Sequence, residues 1–267
     1  MLIKRIFCFW ACGYLFIGLW IPVYRKASGA VFRFCRRWVR AILRPGIASG
    51  SAVTPDYVEP CRMTVHYHKG DLPADVTFTG AVAVDSETMG LSLVRDRLCV
   101  VQLSGGDGVA HVVQVGGAFG YDCPNLKKVL ADPDLLKIFH FARFDVAMVA
   151  KYLGVTCTPI YCTKIASKLT RTNTDRHGLK YLCSDLLGVE LSKEQQTSDW
   201  GTSGDLTPQQ LTYAASDVLY LHALKERLDG LLAREGRTEI AEACFRFLPT
   251  RAALDLLDWE DIDIFAH

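Results

Sequence analysis

The sequence predicts a mixed α/β domain, a central sheet flanked by helices, preceded by an apolar and basic leader. Three observations carry this. Three β-rich segments follow one another between residues 81 and 115, the pattern of an antiparallel meander. From residue 124 onward, short apolar runs alternate with helical patterns, as in a sheet covered by helices. Half of the 267 residues are hydrophobic, enough for one sizeable core.

Taken in order, Thr64–His68 reads as a short strand and Ala81–Asp85 as the central one. Arg97–Ser104 is a third strand, followed by the turn Gly105-Gly106-Asp107-Gly108, and His111–Val115 is a fourth. Pro124–Ala131 is a helix with proline in its first turn, where no N–H is missed. Lys137–His140 is a strand, and Phe144–Leu153 a helix closed by Gly154. Ile160–Cys162 is a strand that leads into a helix over Thr163–Leu169. Leu179–Leu187 is a helix that ends at Gly188. Thr207–Leu232 reads as one long helix, with Thr207 as N-cap and Pro208 as first helical residue. Its apolar face runs through Leu211, Ala214, Ala215, Val218, Leu219, Leu221 and Leu224. Residues 1–62 form leader and linker, 63–232 the main domain and 233–267 a helical extension.

The net charge of +1 hides an asymmetry. Nine of the 30 Lys and Arg lie in residues 1–55, which hold no acid, so residues 56–267 carry a net charge of −8. An acidic body that meets a polyanion needs metal ions or a local basic patch. The ten cysteines form no Cys-x-x-Cys pair and have no zinc spacing. Scattered thiols of this kind suit a reducing compartment.

Ile6–Val23 is an uncharged run of 18 mostly apolar residues, near the lower limit for spanning a bilayer. A dense basic segment follows it, which places the rest of the chain on the cytoplasmic side of a membrane anchor. Two other readings stay open. The leader is an organellar targeting sequence, or the working protein starts at Met63.

The chemistry is concentrated in acids. Asp85 and Glu87 sit one residue apart at the end of an apolar strand, on the same face. Two anions that close resist burial unless a cation lies between them. Mg²⁺ or Mn²⁺, which prefer carboxylate oxygens, is the simplest partner. The bland alternative is a strand end with two solvated acids. Asp145 follows the strand Lys137–His140; a helix's first turn also favours an acid through its dipole alone. His140 at that strand end reads as a packing residue or as a substrate contact. Tyr213 and Asp217 are four apart on the last helix and share a face. Four acids and one phenol can converge on two divalent ions. Such a pair clamps the attacking and leaving oxygens of an in-line phosphoryl displacement. Tyr213, neutral at pH 7 with an ordinary pKa of about 10, suits the orientation of a water molecule.

The ordered set resembles the DEDD superfamily of 3′–5′ exonucleases, in its tyrosine-containing branch and its short, ribonuclease D-like form. The resemblance rests on VDSETMGL (Asp85, Glu87), HFARFD (His140, Asp145) and YAASDVLYL (Tyr213, Asp217). It extends to HGLKYLCSDLLG and to the Asp199-Trp200 pair before the last helix, and covers about Thr64 to Leu232. It implies a ribonuclease H-like fold and a catalytic set of Asp85, Glu87, Asp145, Tyr213 and Asp217. The four acids would hold two Mg²⁺ or Mn²⁺ ions. It also implies a single-stranded nucleic-acid substrate, RNA favoured, shortened from the 3′ end to nucleoside 5′-monophosphates. Thr88, Met89, Leu91, His140 and Phe144 are the expected substrate contacts. Gln102, Arg143, Arg171, Arg176, His177 and Lys180 are phosphate-contact candidates as well as ordinary surface residues. Two features depart from the family. Only 35 residues follow Leu232, too few for the helical nucleic-acid-binding domains of full-length ribonuclease D. Gly201–Asp205 stands where relatives often carry Arg-Pro. No feature points to a protein partner. The alternatives are a DNA exonuclease of the proofreading or Werner type, a hydrolase of small nucleotides, and a non-catalytic nucleic-acid-binding or membrane scaffold.

Overall fold

The computed structural model describes residues 63–192 and 198–267. The apolar run Ile6–Val23 and its anchor reading lie outside them. No helix of the described residues is long and apolar enough to cross a membrane.

Six strands form one sheet: β1 (Thr64–Lys69), β2 (Ala81–Thr88), β3 (Leu98–Ser104), β4 (Val109–Gln114), β5 (Leu136–Phe139) and β6 (Ile160–Cys162). Their spatial order is β1-β4-β3-β2-β5-β6. β2, β3 and β4 are the expected antiparallel meander, while β1 joins β4, β5 joins β2 and β6 joins β5 in parallel. β3 is buried along its whole length. That fits its near-continuous apolar sequence, since it lies between neighbours and under helices on both faces.

Among the described residues there are seven helices: α1 (Pro124–Ala131), α2 (Ala142–Leu153), α3 (Thr163–Thr170), α4 (Leu179–Leu182, continued as a wider turn over Cys183–Leu187), α5 (Pro208–Leu219), α6 (Leu221–Arg234) and α7 (Thr238–Leu256). Three of their boundaries carry the expected chemistry. Gly154 and Gly188 close α2 and the α4 segment in the left-handed conformation that glycine adopts without strain. Thr207 caps α5 through a reciprocal box with Gln210.

The expected single helix over Thr207–Leu232 is two. The helix breaks at Tyr220, whose backbone (φ −101°, ψ −2°) leaves the helical path. The apolar stripe runs on through the break, but the two halves pack on different partners. α5 lies across β1 to β4, whereas α6 packs on α3. A straight rod cannot follow both surfaces.

The last helix, α7, packs against α2 and β6. Its anchor is Asp255, which is 3% exposed. Arg143 of α2 donates to it from Nε at 2.5 Å and from the guanidinium's second nitrogen at 2.8 Å, and Arg251 donates from the other side. Arg143 is thus committed to a carboxylate, which removes it from the phosphate-contact candidates. Removing one partner of such a buried pair leaves an unpaired charge. Asp255→Ala should therefore destabilise the fold by about 3–5 kcal/mol. Urea unfolding monitored by circular dichroism measures this. A change below about 1 kcal/mol would show that α7 does not hang on this pair.

Candidate metal centre and substrate cleft

β2 delivers the first two acids. Its apolar half (Val82, Ala83, Val84) is fully buried, so the strand's end is fixed in place by core packing. Asp85 and Glu87 then project from it side by side, towards α5. The ladder slips between Glu87 and Thr88, a bulge that turns the chain away at the cleft. Beyond it, Gly90 is packed so close to Asp96 that an added Cβ would lie 2.3 Å from its carboxylate. Asp96 accepts from the Ser92 N–H and from Arg95, and those partners hold its pKa down at about 2. The loop carrying Met89 and Leu91 is therefore pinned at its base.

α5 brings Tyr213 and Asp217 onto the same face of the sheet. The carboxylate oxygens of Asp85, Glu87 and Asp217 lie within 4.8 Å of one another. Asp145, buried in the first turn of α2, accepts a hydrogen bond from Ser86 Oγ at 2.6 Å. None of the four acids makes an ion pair with Lys or Arg among the described residues. Burial and the neighbouring carboxylates push Asp85 and Glu87 well above the usual carboxylate range. Burial raises Asp145 and Asp217 to about 7. Hard oxygen donors, several negative charges and no counter-cation fit a divalent ion. Such an ion would be held by Asp85, Glu87 and Asp217, with Asp145 beside them.

Tyr213 is placed by a set of ties that composition does not show. Its ring is 6.1 Å from that of Trp200, which is 2% exposed. The loop around Trp200 is held through its carbonyls. Arg97 donates to Gly201, Gln114 to Thr202 and Gly204, and Gln210 to Asp199. Gly201–Asp205 is thus held through its backbone carbonyls. Burial, and then the charge of Asp217, raise the Tyr213 hydroxyl above its ordinary range, so it keeps its proton.

The acids form the floor of a cleft of about 350 Å³. Of the expected substrate contacts, Thr88, Leu91, His140 and Phe144 line it. Met89 does not. Its side chain lies against Gly201, where an added Cβ would meet it at 3.1 Å. His140 shares a hydrogen bond with Thr163 Oγ1 at 2.9 Å, and burial lowers its pKa to about 3, so it is a neutral wall of the cleft. Lys180 lines the cleft as well. Gln102 sits opposite Asp85 in the β2–β3 pair and is fully buried, so it cannot reach a phosphate from solvent. Arg171 pairs with Asp185, Arg176 stacks on Tyr181, and His177 bonds Ser167.

Among the cleft residues that the sequence did not single out are Phe141 and Lys164. Phe141, at the start of α2, holds a left-handed backbone (φ 68°) that non-glycine residues rarely adopt. Its ring is 46% exposed and carries the Lys164 ammonium 3.9 Å from its centroid. Phe141 stands inside HFARFD, between the two residues that drew attention. Lys164 comes from α3, and no local pattern marks it.

The family described as 3′–5′ exonuclease matches residues 71–233. Ribonuclease D of Acidiphilium cryptum is 35% identical over 158 residues, which is 59% of this chain and 39% of that protein. The chain spans about two fifths of the length of the curated relatives it matches. Among solved structures, Brucella melitensis NrnC bound to pGG is 57% identical with a TM-score of 0.73, covering 77% of this chain and 99% of that one. Brucella melitensis NrnC with bound Mg²⁺ is 56% identical with a TM-score of 0.72, over 77% and 100%.

The raised acids set a pH test on metal-free protein. A carboxyl whose folded pKa lies above its unfolded value stabilises the fold fully below the unfolded value. That contribution is lost as pH rises towards the folded one. Between about pH 4 and pH 7 these acids therefore cost stability, and Asp85→Asn removes part of the cost. With EDTA present, Asp85→Asn should be more stable than wild type by on the order of 2 kcal/mol at pH 7.5, and by much less at pH 4. The difference between the two proteins cancels histidine titration, which acts in the opposite direction. Thermal melts across this range measure it, and a pH-independent difference would contradict the charge cluster.

Proposed function

This chain belongs to the 3′–5′ exonuclease family, and on that premise we propose that it is a divalent-metal-dependent exoribonuclease. It removes nucleotides from the 3′ end of single-stranded RNA as nucleoside 5′-monophosphates. The observation that carries this reading is the convergence of Asp85, Glu87 and Asp217 within 4.8 Å with no counter-cation. A relative 57% identical is known in complex with pGG. The cleft is near the small end of ligand-pocket volumes. Both support short oligoribonucleotides as the favoured substrate. On this reading residues 63–232 are the exonuclease domain, of ribonuclease H-like fold, and 233–267 a helical extension held by Asp255. Six free cysteines among the described residues suit the reducing cytoplasm.

Asp85, Glu87 and Asp217, with Asp145 alongside, would hold two Mg²⁺ or Mn²⁺ ions, which when bound would supply charge stabilisation at the scissile phosphate and lower the pKa of a water. The chain's own residues do the rest. Tyr213 keeps its hydroxyl proton at pH 7 and uses it to orient the attacking water. The water oxygen bonds to phosphorus as the bond to the 3′-oxygen of the preceding nucleotide breaks, so the phosphate leaves on the 5′-oxygen of the released nucleoside. Leu91, Phe144 and Phe141 present apolar surface to the terminal base, where each stacked base contributes about 1–3 kcal/mol. Lys164 and Lys180 face the phosphates.

The test is incubation of the protein with end-labelled single-stranded RNA, single-stranded DNA and pGG, in Mg²⁺, Mn²⁺ or EDTA. Metal-dependent release of 5′-monophosphates from the 3′ end, faster on RNA, is expected. Faster loss of DNA would move the assignment to a DNA exonuclease, and no hydrolysis of any of the three would overturn it. Asp85→Asn should lower kcat by at least about 10³-fold. Tyr213→Phe should lower it about 10- to 100-fold with metal affinity unchanged. Full turnover in Tyr213→Phe would remove the water-orienting role.

A further inference from the structure

Three of the seven histidines of the chain meet on the sheet face away from α5. His66 and His68 lie two apart on β1 and share that face, and His66 is the direct partner of His111 on β4. Their ring centroids form a triangle, 5.3 Å from His111 to each of the other two and 6.4 Å between His66 and His68. His68 Nε2 and His111 Nδ1 share a hydrogen bond at 3.0 Å. Phe78 packs edge-on against His111 and backs the cluster. His68 and His111 are half-buried, and His66 is exposed.

The geometry points to a second cation site, in which His66, His68 and His111 bind a borderline divalent ion such as Zn²⁺, Co²⁺ or Ni²⁺. Two nitrogens that share a tetrahedral ion at about 2.0–2.1 Å stand about 3.3–3.4 Å apart. The His68–His111 pair is joined by a hydrogen bond at 3.0 Å, so an ion there would replace the shared proton, with the two rings turning apart by a few tenths of an ångström. His66, exposed and stacked on the other two rings, joins by turning about its side-chain torsions. Burial first, and then the neighbouring imidazoles, lower the pKa of His68 and His111. Both are therefore neutral at pH 7, the form that binds metal. The negative charge of Asp75 acts on both rings and that of Asp107 on His111. Carboxylates of this kind commonly accept the second N–H of a metal-bound imidazole. All-imidazole donors favour these ions over Mg²⁺, which selects oxygen. The site is thus chemically separate from the acidic centre and independent of the proposed hydrolysis. An ion there would tie the edge strand β1 to β4. The other face of that strand pair carries Tyr67 and Gln114, and Gln114 holds the Trp200 loop.

The experiment is a Co²⁺ titration of the full chain in excess Mg²⁺, read by the visible absorption of bound Co²⁺. Wild type and Asp85→Asn should both bind it. His68→Ala and His111→Ala should each weaken binding at least tenfold, and so should His66→Ala, which changes an exposed side chain and leaves the fold intact. Zn²⁺ should displace the Co²⁺ and raise Tm in wild type but not in His66→Ala. No Co²⁺ binding in excess Mg²⁺, loss of binding in Asp85→Asn, or unchanged affinity in the histidine variants would overturn the site.

Discussion

Repulsion among four carboxylates is the constraint on which the rest of this structure depends. Asp85, Glu87, Asp145 and Asp217 are held close together without a basic side chain to offset them. Burial pushes all four towards the protonated form, and neighbouring carboxylates add to the push on Asp85, Glu87 and Asp217. A chain free to relax would separate them. This one cannot, because each acid sits on an element fixed by apolar packing elsewhere. Asp85 and Glu87 continue a strand whose apolar residues Val82, Ala83 and Val84 are wholly buried. Asp145 is on a helix braced by α7, and Asp217 is on a helix laid across four strands. The core supplies the stability, and the acidic centre consumes part of it.

The same logic explains the investment in the Trp200 loop. A tyrosine that positions a water must be held to a fraction of an ångström, and α5 alone fixes only its Cα. Arg97, Gln114 and Gln210 tie down the loop's carbonyls, so Trp200 becomes a rigid surface beside the Tyr213 ring. The left-handed backbone of Phe141 is a similar expense. It turns the chain between β5 and α2 so that Asp145 faces inward while the Phe141 ring faces the cleft. Strain at such a position persists only where its surroundings enforce it.

Much of this was legible in the sequence, because local rules and tertiary structure agree. The proline and glycine punctuation of α1 and α2 and the Thr207 cap each report a boundary found in the structure, whereas the strand expected to end at Asp85 runs on to Thr88. The acids were legible as an ordered set, since their spacing places them at sheet and helix ends. What was not legible depends on long-range placement. The break at Tyr220 comes from two packing partners and leaves no mark on the apolar stripe. Arg143 looked available for phosphate because its partner, Asp255, is 112 residues away. Gln102 reads as a surface polar residue only until its strand proves to be the most enclosed in the sheet. Lys164 reaches the cleft from a helix with no motif. Met89, within VDSETMGL, turns out of the cleft because the bulge after Glu87 redirects the chain.

The acidic centre is thus stored in a partly protonated, charge-frustrated state that a divalent ion would resolve. The most direct test is calorimetric titration with Mn²⁺ near pH 6.5 in buffers of different ionisation enthalpy, which separates proton release from binding. The account predicts that Mn²⁺ binding expels protons from the protein, that the release shrinks as pH is raised towards 8.5, and that Asp85→Asn loses most of the binding. Mn²⁺ binding with no proton release, or binding unchanged in Asp85→Asn, would contradict it.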